Sequence, residues 1–170
     1  KVPSVFKCFK NSIIVNSFSK SHSLPDERIG YIAINDRIEA ADALSNGMAF
    51  CNRILGFVNA PAFMQRVVSD AVYETIDIEG YKLKRDLLYN KLISLGFECI
   101  KPQGAFYLFP KALIEDDVEF TRCAQKYNIL VVPGTGFGCP GYCRIAYCCS
   151  VETIEKSLPA FEKLAQEFRS

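Results

Sequence analysis

The chain has 170 residues, enough for one domain or two small ones with an apolar core. Hydrophobic residues make up 49% and charged residues 23%, and a net charge of +1 offers no basic surface to nucleic acid or anionic lipid. No apolar run approaches the roughly 20 residues of a membrane span, and no secretory signal opens the sequence, so we expect a globular, cytoplasmic protein without nucleic-acid or membrane partners.

In the first half, the sequence predicts two apolar strands followed by helices. Residues 12–16 have the β-branched composition of a buried strand, and residues 30–34 form a second apolar strand. A helical spacing over residues 37–45 is interrupted by an Asn-Gly pair, and a long helical region begins at Pro61. The apolar residues expected to line one side of that region are Phe63, Val67, Val68, Ala71 and Val72.

The second half continues the long helix and then predicts the order β-β-α-β-β-α. Helical periodicity over residues 81–95 ends at Gly96, a good C-terminal cap. The later predicted elements are strands at 97–100 and 105–109, a helix at 116–127, strands at 129–132 and 142–149, and a helix from Ser150. From about residue 72, this order predicts an open, antiparallel-rich sheet covered by helices. The two strands of the first half are too few for a parallel sheet of their own.

The eight cysteines and the single histidine lack the spacing of a structural zinc site, so we predict no metal. One group stays as the alternative metal site, although its spacing differs from that of a zinc knuckle: Cys139, Cys143, Cys148 and Cys149. Without a secretory signal, the expected state of the cysteines is reduced, buried thiols. The first residue is lysine rather than methionine, so we expect a truncated or clipped start.

A lysine follows the first predicted strand and has phosphate-binding residue types around it. Ser17 and Ser19 precede Lys20, and Arg28 follows it eight residues later. Hydroxyls and a planar guanidinium can bind phosphate oxygens. A lysine buried near another cation is more often neutral and then attacks aldehydes. The set therefore favours a phosphorylated aldehyde, of which pyridoxal 5'-phosphate is the commonest cofactor, and the alternative is a solvated lysine in a serine-rich turn.

A second candidate is Arg144, which lies in the otherwise apolar run of residues 143–147. A buried arginine needs an anion, and its planar fork matches a carboxylate; the alternatives are a protein carboxylate as partner or solvent at a sheet edge. The glycine-rich residues 134–138 precede this strand, whereas a nucleotide-binding loop should run into a helix. We interpret these glycines as a tight loop close to a ligand, with nucleotide binding as the less favoured alternative.

Four segments in this order resemble the class I/II aminotransferases of pyridoxal phosphate fold type I, the aspartate aminotransferase superfamily. They are Ser-Phe-Ser-Lys with Arg-Ile-Gly-Tyr, Asn59-Ala60-Pro61, Pro-Gln-Gly-Ala-Phe-Tyr at 102–107, and Pro-Gly-x-Gly-Phe-Gly with Arg-Ile-Ala-Tyr at 133–147. In one departure, Asp26 stands where many members have glycine before the arginine.

The resemblance implies a pyridoxal phosphate-dependent transaminase that moves an amino group from an amino acid to a 2-keto acid. It implies that Lys20 holds the cofactor as a Schiff base and transfers the α-proton. Ser17 and Arg28 would hold the cofactor phosphate, with Ser19 as a further phosphate candidate, and Arg144 would bind the substrate α-carboxylate. The family also implies a homodimer when full length.

The resemblance covers only the C-terminal portion of such an enzyme. It predicts an α/β chain, with residues 1–71 as a remnant of the large cofactor-binding domain and residues 72–170 as the complete, small α+β domain. Because the other half of the cofactor domain is missing, we expect these residues alone to be inactive. Ile54 stands where dicarboxylate-specific members carry an arginine, with Arg53 one residue off, which argues against a clamp for an acidic side chain.

Two alternatives stay open. A carbon-sulfur lyase of the same fold would use the same lysine for β-elimination, and a noncatalytic interaction domain would not use the lysine at all.

Overall fold

The computed structural model describes residues 3–168. The chain divides into two compact units, Lys1–Ile76 and Asp77–Ser170. The domain boundary predicted after residue 71 falls slightly before the boundary between these units. Among residues 3–168, no helix combines the length and the apolar composition needed to cross a bilayer.

The first unit begins with helix α1 (Val5–Cys8) and an antiparallel hairpin. Strand β1 (Ile13–Ser17) pairs with β2 (Gly30–Ile34), and helix α2 (Phe18–Ser21) follows β1 directly. Both predicted strands are confirmed, but most of their side chains are exposed, so the expected burial of the first strand is wrong. The reason is that the two strands form a sheet of their own, with no third strand among the described residues of this unit.

Helix α3 (Ala41–Ile54) runs through the Asn46-Gly47 pair, where we expected an interruption. A glycine in a helix interior costs only about 1 kcal/mol relative to alanine, so one glycine does not end a helix of this length. The apolar residues that follow Gly47 therefore belong to the same helix.

Helix α4 (Ala62–Ala71) begins directly after Pro61, as the sequence predicts. Its buried residues are Met64 and Val68. Phe63, which we expected on the buried side, is 74% exposed, because it lies about 100° around the helix from Met64.

The second unit contains a three-stranded antiparallel sheet in the order β3-β5-β4. Its strands are β3 (Tyr107–Leu108), β4 (Val132–Pro133) and β5 (Cys143–Ala146). The predicted antiparallel sheet is confirmed, but each strand is shorter than its apolar run. Residues 97–100 form no strand; one backbone contact there is the 2.8 Å bond from the Lys111 amide to the Glu98 carbonyl.

Three helices complete the second unit, α5 (Ile78–Ser94), α6 (Asp117–Gln125) and α7 (Val151–Glu167). Each begins after a residue whose side chain accepts a hydrogen bond from the first turn: Asp77, Asp116 and Ser150. Gly96 follows α5 with φ at +83°, the left-handed conformation of a helix C-terminal cap. The helices predicted at 81–95, at 116–127 and from Ser150 are therefore confirmed.

The core of the second unit forms where the three helices pack on the sheet. The members of this core that are at most 3% exposed are Leu88, Leu92, Phe97, Leu108, Phe120, Ala124, Cys143, Tyr147, Ile154, Phe161, Leu164 and Ala165. In the first unit the buried cluster of the described residues is much smaller and comprises Ile29, Met64 and Val68. The second unit therefore has the larger apolar driving force for folding.

All eight cysteines are free of disulfide bonds. Cys123 and Cys143 are buried, but Cys8, Cys51 and Cys148 are exposed. The expectation of buried thiols is therefore wrong for the last three. No group of three or more possible metal ligands occurs within residues 3–168.

Candidate functional site

The end of the hairpin brings two of the candidate phosphate-binding segments side by side. Ser17 is the last residue of β1 and pairs with Gly30, the first residue of β2. The amide of Phe18 donates to the carbonyl of Ile29 across 3.1 Å, which extends the pairing past the strand end. Arg28 directly precedes Ile29, so the segments that carry Ser17 and Arg28 are neighbours in space.

Close approach of these segments depends on the glycine at the start of β2. A β-carbon on Gly30 would lie 2.5 Å from the carbonyl oxygen of Asn16 and 3.1 Å from the Cα of Ser17. A side chain there would push the strands apart next to Ser17. The glycine of the Ile-Gly pair is therefore required by backbone packing at the site.

The lysine itself lies in the four-residue helix α2. The side chain of Lys20 is exposed, and that of Ser19 is half-buried. We expected a buried amine, and this expectation is wrong for the described residues. The physical reason is that α2 follows a two-stranded hairpin whose own side chains are mostly exposed.

Apolar packing supports the segment around the lysine from one side. Ile29, Met64 and Val68 form the buried cluster of this unit, and Phe18 and Leu24 pack against it. Phe18 immediately precedes the Ser19-Lys20 pair, and Leu24 follows it. The turn that carries the lysine is therefore fixed to helix α4 by hydrophobic contacts.

His22 provides a polar link between the same turn and α4. Its Nε2 lies 3.1 Å from the carbonyl oxygen of Ala71, the last residue of α4, and its Nδ1 lies 2.8 Å from the hydroxyl of Ser21. Since a carbonyl only accepts, Nε2 carries the proton, and in the neutral ring Nδ1 accepts from Ser21. Sequence reasoning considered His22 only as a metal ligand; its position two residues after the lysine was the available signal.

Arg28 has an unusual backbone conformation, with φ at +49°. Its Nη1 donates to the carbonyl of Pro25 across 2.9 Å, and its side chain is exposed. A guanidinium has five N–H donors, so others are available for an anion. None of the ion pairs within residues 3–168 includes Arg28. Its position beside Ser17 and its donor set therefore fit a phosphate group.

A cavity of about 360 Å³ lies against this end of the hairpin. Its lining includes Phe18, Gly30, Asn59 and Ala60. Asn59 and Ala60, which belong to one of the four motif segments, thus border the same space as the start of β2.

In the second unit, Arg144 lies in the central strand β5 between two aromatic rings. Its Cζ is 4.5 Å from the ring centroid of Tyr107 and 4.5 Å from that of Phe137. The side chain is half-buried, and none of the ion pairs in the described part of the chain includes it. A described protein carboxylate is therefore not its partner. Rings over the guanidinium leave its N–H edges available for a bidentate anion such as a carboxylate.

The glycine-rich segment before β5 folds into a 3-10 turn (Gly134–Phe137). A β-carbon on Gly134 would lie 2.2 Å from the carbonyl oxygen of Cys139, and Gly138 has φ at +70°. The segment is therefore a tight loop, as interpreted from the sequence, and leads into a strand rather than a long helix. This turn carries Phe137 to Arg144.

A buried carboxylate holds this turn. Asp117, the first residue of α6, is only 3% exposed. Its Oδ2 accepts from the backbone amide of Thr135 at 2.7 Å, and its Oδ1 accepts from the Thr135 hydroxyl at 2.8 Å. The hydrogen bond from the Thr135 backbone amide is the largest cause that lowers the pKa of Asp117, whereas burial raises this pKa. The sequence analysis did not single out this residue. The available signal was the pair of successive aspartates at the helix start: Asp116 caps the helix, so Asp117 is available for another contact.

The candidate residues thus form two groups, each within its own unit. Ser17, Ser19, Lys20 and Arg28 belong to Lys1–Ile76, and Arg144 with its two rings belongs to Asp77–Ser170.

Known proteins are similar to this chain over a range that includes both groups of residues. The family model for aminotransferase class I and II matches residues 7–161. A probable aspartate aminotransferase of Methanocaldococcus jannaschii is 34% identical over 89% of this chain and 42% of its own length. An aromatic-amino-acid aminotransferase of Thermococcus litoralis is 30% identical over 98% of this chain and 44% of its own.

A solved structure supports the fold along the whole chain. The amino transferase of Eubacterium rectale has a TM-score of 0.89 and 43% sequence identity, over 100% of this chain and 43% of its own. The present chain therefore spans less than half the length of the relatives it matches.

Proposed function

Because the chain belongs to the aminotransferase class I and II family, we propose that this protein transfers an amino group from an amino acid to a 2-keto acid with pyridoxal 5'-phosphate. The observation that carries this proposal is the hairpin end, where a lysine turn, a hydroxyl and an arginine segment are held together by the Ser17–Gly30 pairing. A phosphorylated aldehyde is the cofactor type that such a set binds.

On this proposal, four residues hold the cofactor. The hydroxyl of Ser17 and the guanidinium of Arg28 would bind its phosphate, with Ser19 as a further donor, and the amine of Lys20 would hold its aldehyde group. When bound, the cofactor supplies an electron sink for the carbanion that forms at the substrate α-carbon. The close backbone approach at Gly30 holds the end of β1, which carries Ser17, beside the segment that carries Arg28.

Lys20 and Arg144 act on the substrate. The Lys20 amine would take the substrate α-proton and return it as general base and acid, which contributes roughly 10²- to 10⁴-fold in rate. The N–H edges of Arg144 bind the α-carboxylate, while Tyr107 and Phe137 keep the guanidinium plane in one orientation.

No arginine stands at the position that the resemblance assigns to the side-chain clamp of dicarboxylate-specific members. Ile54 occupies that position in the last turn of α3, with Arg53 beside it, and both are exposed. Isoleucine cannot pair with a second carboxylate. We therefore infer that amino acids with an aromatic or aliphatic side chain react better than aspartate, which a comparison of kcat/KM values for phenylalanine, leucine and aspartate decides.

The wider context of the reaction follows from the same proposal. We infer a cytoplasmic homodimer, with residues 1–71 in the large cofactor-binding domain and residues 72–170 in the small one. Since the chain spans 42% of the length of the Methanocaldococcus relative, we expect these 170 residues alone to bind the cofactor weakly and to show no turnover.

The decisive experiment is borohydride reduction of the full-length holoprotein followed by peptide mapping. We expect the label on Lys20, and we expect Lys20→Ala to lower transaminase activity by at least about 10²-fold. Lys10→Ala is the matched control, since Lys10 is also an exposed lysine of the first unit. A label on another side chain, or none, would refute the proposal. Keto acid released without an amino acceptor would indicate a lyase instead, and biological activity that survives Lys20→Ala would indicate an interaction domain.

A further inference from the structure

The proposed mechanism gives no part to Asp117, although it is the most completely buried acidic side chain among residues 3–168. A carboxylate is removed from water at a large cost unless strong hydrogen bonds replace the water. Here both oxygens accept from Thr135, through its backbone amide and its hydroxyl, and a hydrogen bond from the backbone of Gly141 also lowers the pKa of the carboxyl. The burial of Asp117 is therefore tied to one particular conformation of the 3-10 turn.

The turn held by Asp117 is otherwise closed by backbone hydrogen bonds. The amide of Gly134 donates to the Tyr142 carbonyl at 2.7 Å, and that of Cys139 donates to the Gly134 carbonyl at 3.0 Å. Because Gly134 has no β-carbon, the backbone at Cys139 and at Tyr142 can approach it closely. Asp117 is the side chain that connects this closed turn to helix α6.

Phe137 ends the turn, two residues after Thr135. Its ring lies over the guanidinium of Arg144 at 4.5 Å and meets the ring of Phe109 edge-on at 6.2 Å. The orientation of the turn therefore decides where this ring lies. A shifted ring would free the guanidinium to rotate, and its N–H edges would lose a fixed direction.

We propose that Asp117 is a positioning residue for substrate carboxylate binding: by holding Thr135 it fixes the turn that keeps Phe137 over Arg144. The proposal rests on the assignment of Arg144 to the substrate carboxylate. Asp117 is distant in sequence from Arg144 and acts on it through Thr135 and Phe137, without touching the substrate.

The test is Asp117→Asn in the full-length holoenzyme, with steady-state kinetics for an amino acid and inhibition by a simple carboxylate, 3-phenylpropionate. The amide nitrogen of asparagine cannot accept the Thr135 donor that the carboxylate oxygen accepts. We expect KM and the inhibition constant to rise roughly 3- to 30-fold, the size of a lost cation–π contact. We expect kcat to change less and the cofactor absorbance to stay unchanged, because the Lys20 group is not altered.

Asp116→Asn is the matched control. Asp116 caps the same helix through the Glu119 amide, and asparagine caps equally well. This variant removes the same charge one residue away and should leave KM unaltered. If Asp116→Asn raises KM as much as Asp117→Asn does, the effect is one of local charge and the proposal is wrong.

A double-mutant cycle with Phe137→Leu tests the route. Phe137→Leu alone should raise KM, and adding Asp117→Asn should raise it little further, since both changes act through the same ring. Independent, multiplying effects would overturn the proposal. If Asp117→Asn does not fold, Thr135→Val, which removes only the hydroxyl bond, takes its place in the cycle with the same two outcomes.

Arg144→Gln separates this inference from the function it rests on. A large rise in KM for Arg144→Gln with none for Asp117→Asn would refute the positioning role alone. No rise for Arg144→Gln would refute the carboxylate site, and the positioning role with it.

Discussion

At the scale of single residues, the candidate site depends on backbone positions as much as on reactive groups. Gly30 permits the approach of the strands beside Ser17, and the left-handed conformation of Arg28 turns the chain before β2. A non-glycine residue in that conformation carries strain, of the kind often found next to ligand sites. The reactive side chains are therefore presented by a local backbone that tolerates few substitutions.

Gly30→Ala should destabilise the chain, because its β-carbon would meet the Asn16 carbonyl oxygen at 2.5 Å. We expect urea unfolding to show a loss of about 1–3 kcal/mol, as in an overpacked site. Gly47→Ala is the matched control: a β-carbon there meets nothing within 4 Å, and the residue lies inside α3. That change should stabilise the chain by about 0.5–1 kcal/mol. Equal effects of the two alanines would contradict the close approach.

At the scale of elements, charged side chains connect α5 to the loop that precedes β3. Asp86 in α5 accepts from the Nε of Arg85 at 2.7 Å, and the Nζ of Lys101 lies 3.0 Å from the same oxygen. The guanidinium of Arg85, followed by the ammonium of Lys101, lowers the pKa of Asp86 to about 2. The Arg85 Nη1 also donates to the carbonyl of Pro102 at 3.1 Å. This cluster holds the loop that contains the Pro-Gln-Gly-Ala-Phe-Tyr motif.

The depressed pKa of Asp86 predicts a pH dependence of stability with a definite sign. As the pH falls, the unfolded chain binds a proton at Asp86 near pH 4, whereas the folded chain binds one only at a lower pH. The contribution of the Asp86 carboxylate to the free energy of unfolding is therefore complete above about pH 4. That contribution should disappear as the pH falls through about 2, the folded pKa. Acid unfolding followed by circular dichroism should therefore be less steep between pH 4 and 2 in Asp86→Asn than in the parent.

Glu79→Gln controls for the removal of one carboxylate from the same helix. Glu79 pairs with Lys82 at the surface, where ion pairs contribute little. Its acid unfolding curve should match that of the parent, and a curve like that of Asp86→Asn would exclude a specific role for Asp86.

At the scale of the whole molecule, the two units differ in how well each buries apolar side chains. The second unit has the larger core, and its Leu92, Leu108 and Leu164 are completely buried. In the first unit, large side chains such as Val15 and Phe57 are 75% exposed. We therefore expect the second unit to be the more resistant of the two to unfolding.

Limited proteolysis tests this difference. Tyr73 is 95% exposed, and residues 74–77 lie outside helix and strand, so chymotrypsin should cleave after Tyr73. The fragment that begins at Glu74 should persist and keep its helical circular dichroism. Tyr73→Ser removes the cleavage site and should abolish this fragment in mass spectra. Loss of the second unit at the same rate as the first would show that the units do not differ in stability.

Short-range patterns predicted much of the secondary structure and the family. Caps, turn residues and apolar spacing were sufficient for the hairpin strands, α6 and α7, because those signals act within a few residues. The family and the α/β fold inferred from four ordered motifs are confirmed by the match over residues 7–161 and by the Eubacterium rectale structure. The extent of α3 and the length of the sheet strands were not predicted, since helix continuation and strand pairing depend on contacts elsewhere in the chain.

By itself, the sequence determined which side chains are candidates for the chemistry: an amine, hydroxyls and an arginine at set spacings around Lys20, and an arginine in an apolar strand. Only the tertiary structure decided that Lys20 is exposed and that Tyr107 and Phe137 lie over Arg144. It also decided that Asp117 holds the 3-10 turn that ends at Phe137. These facts arise from side chains that are distant in sequence and meet only after the sheet and helices have packed. Spacing along a chain carries no information about such meetings, because the direction of each side chain is set by the fold around it.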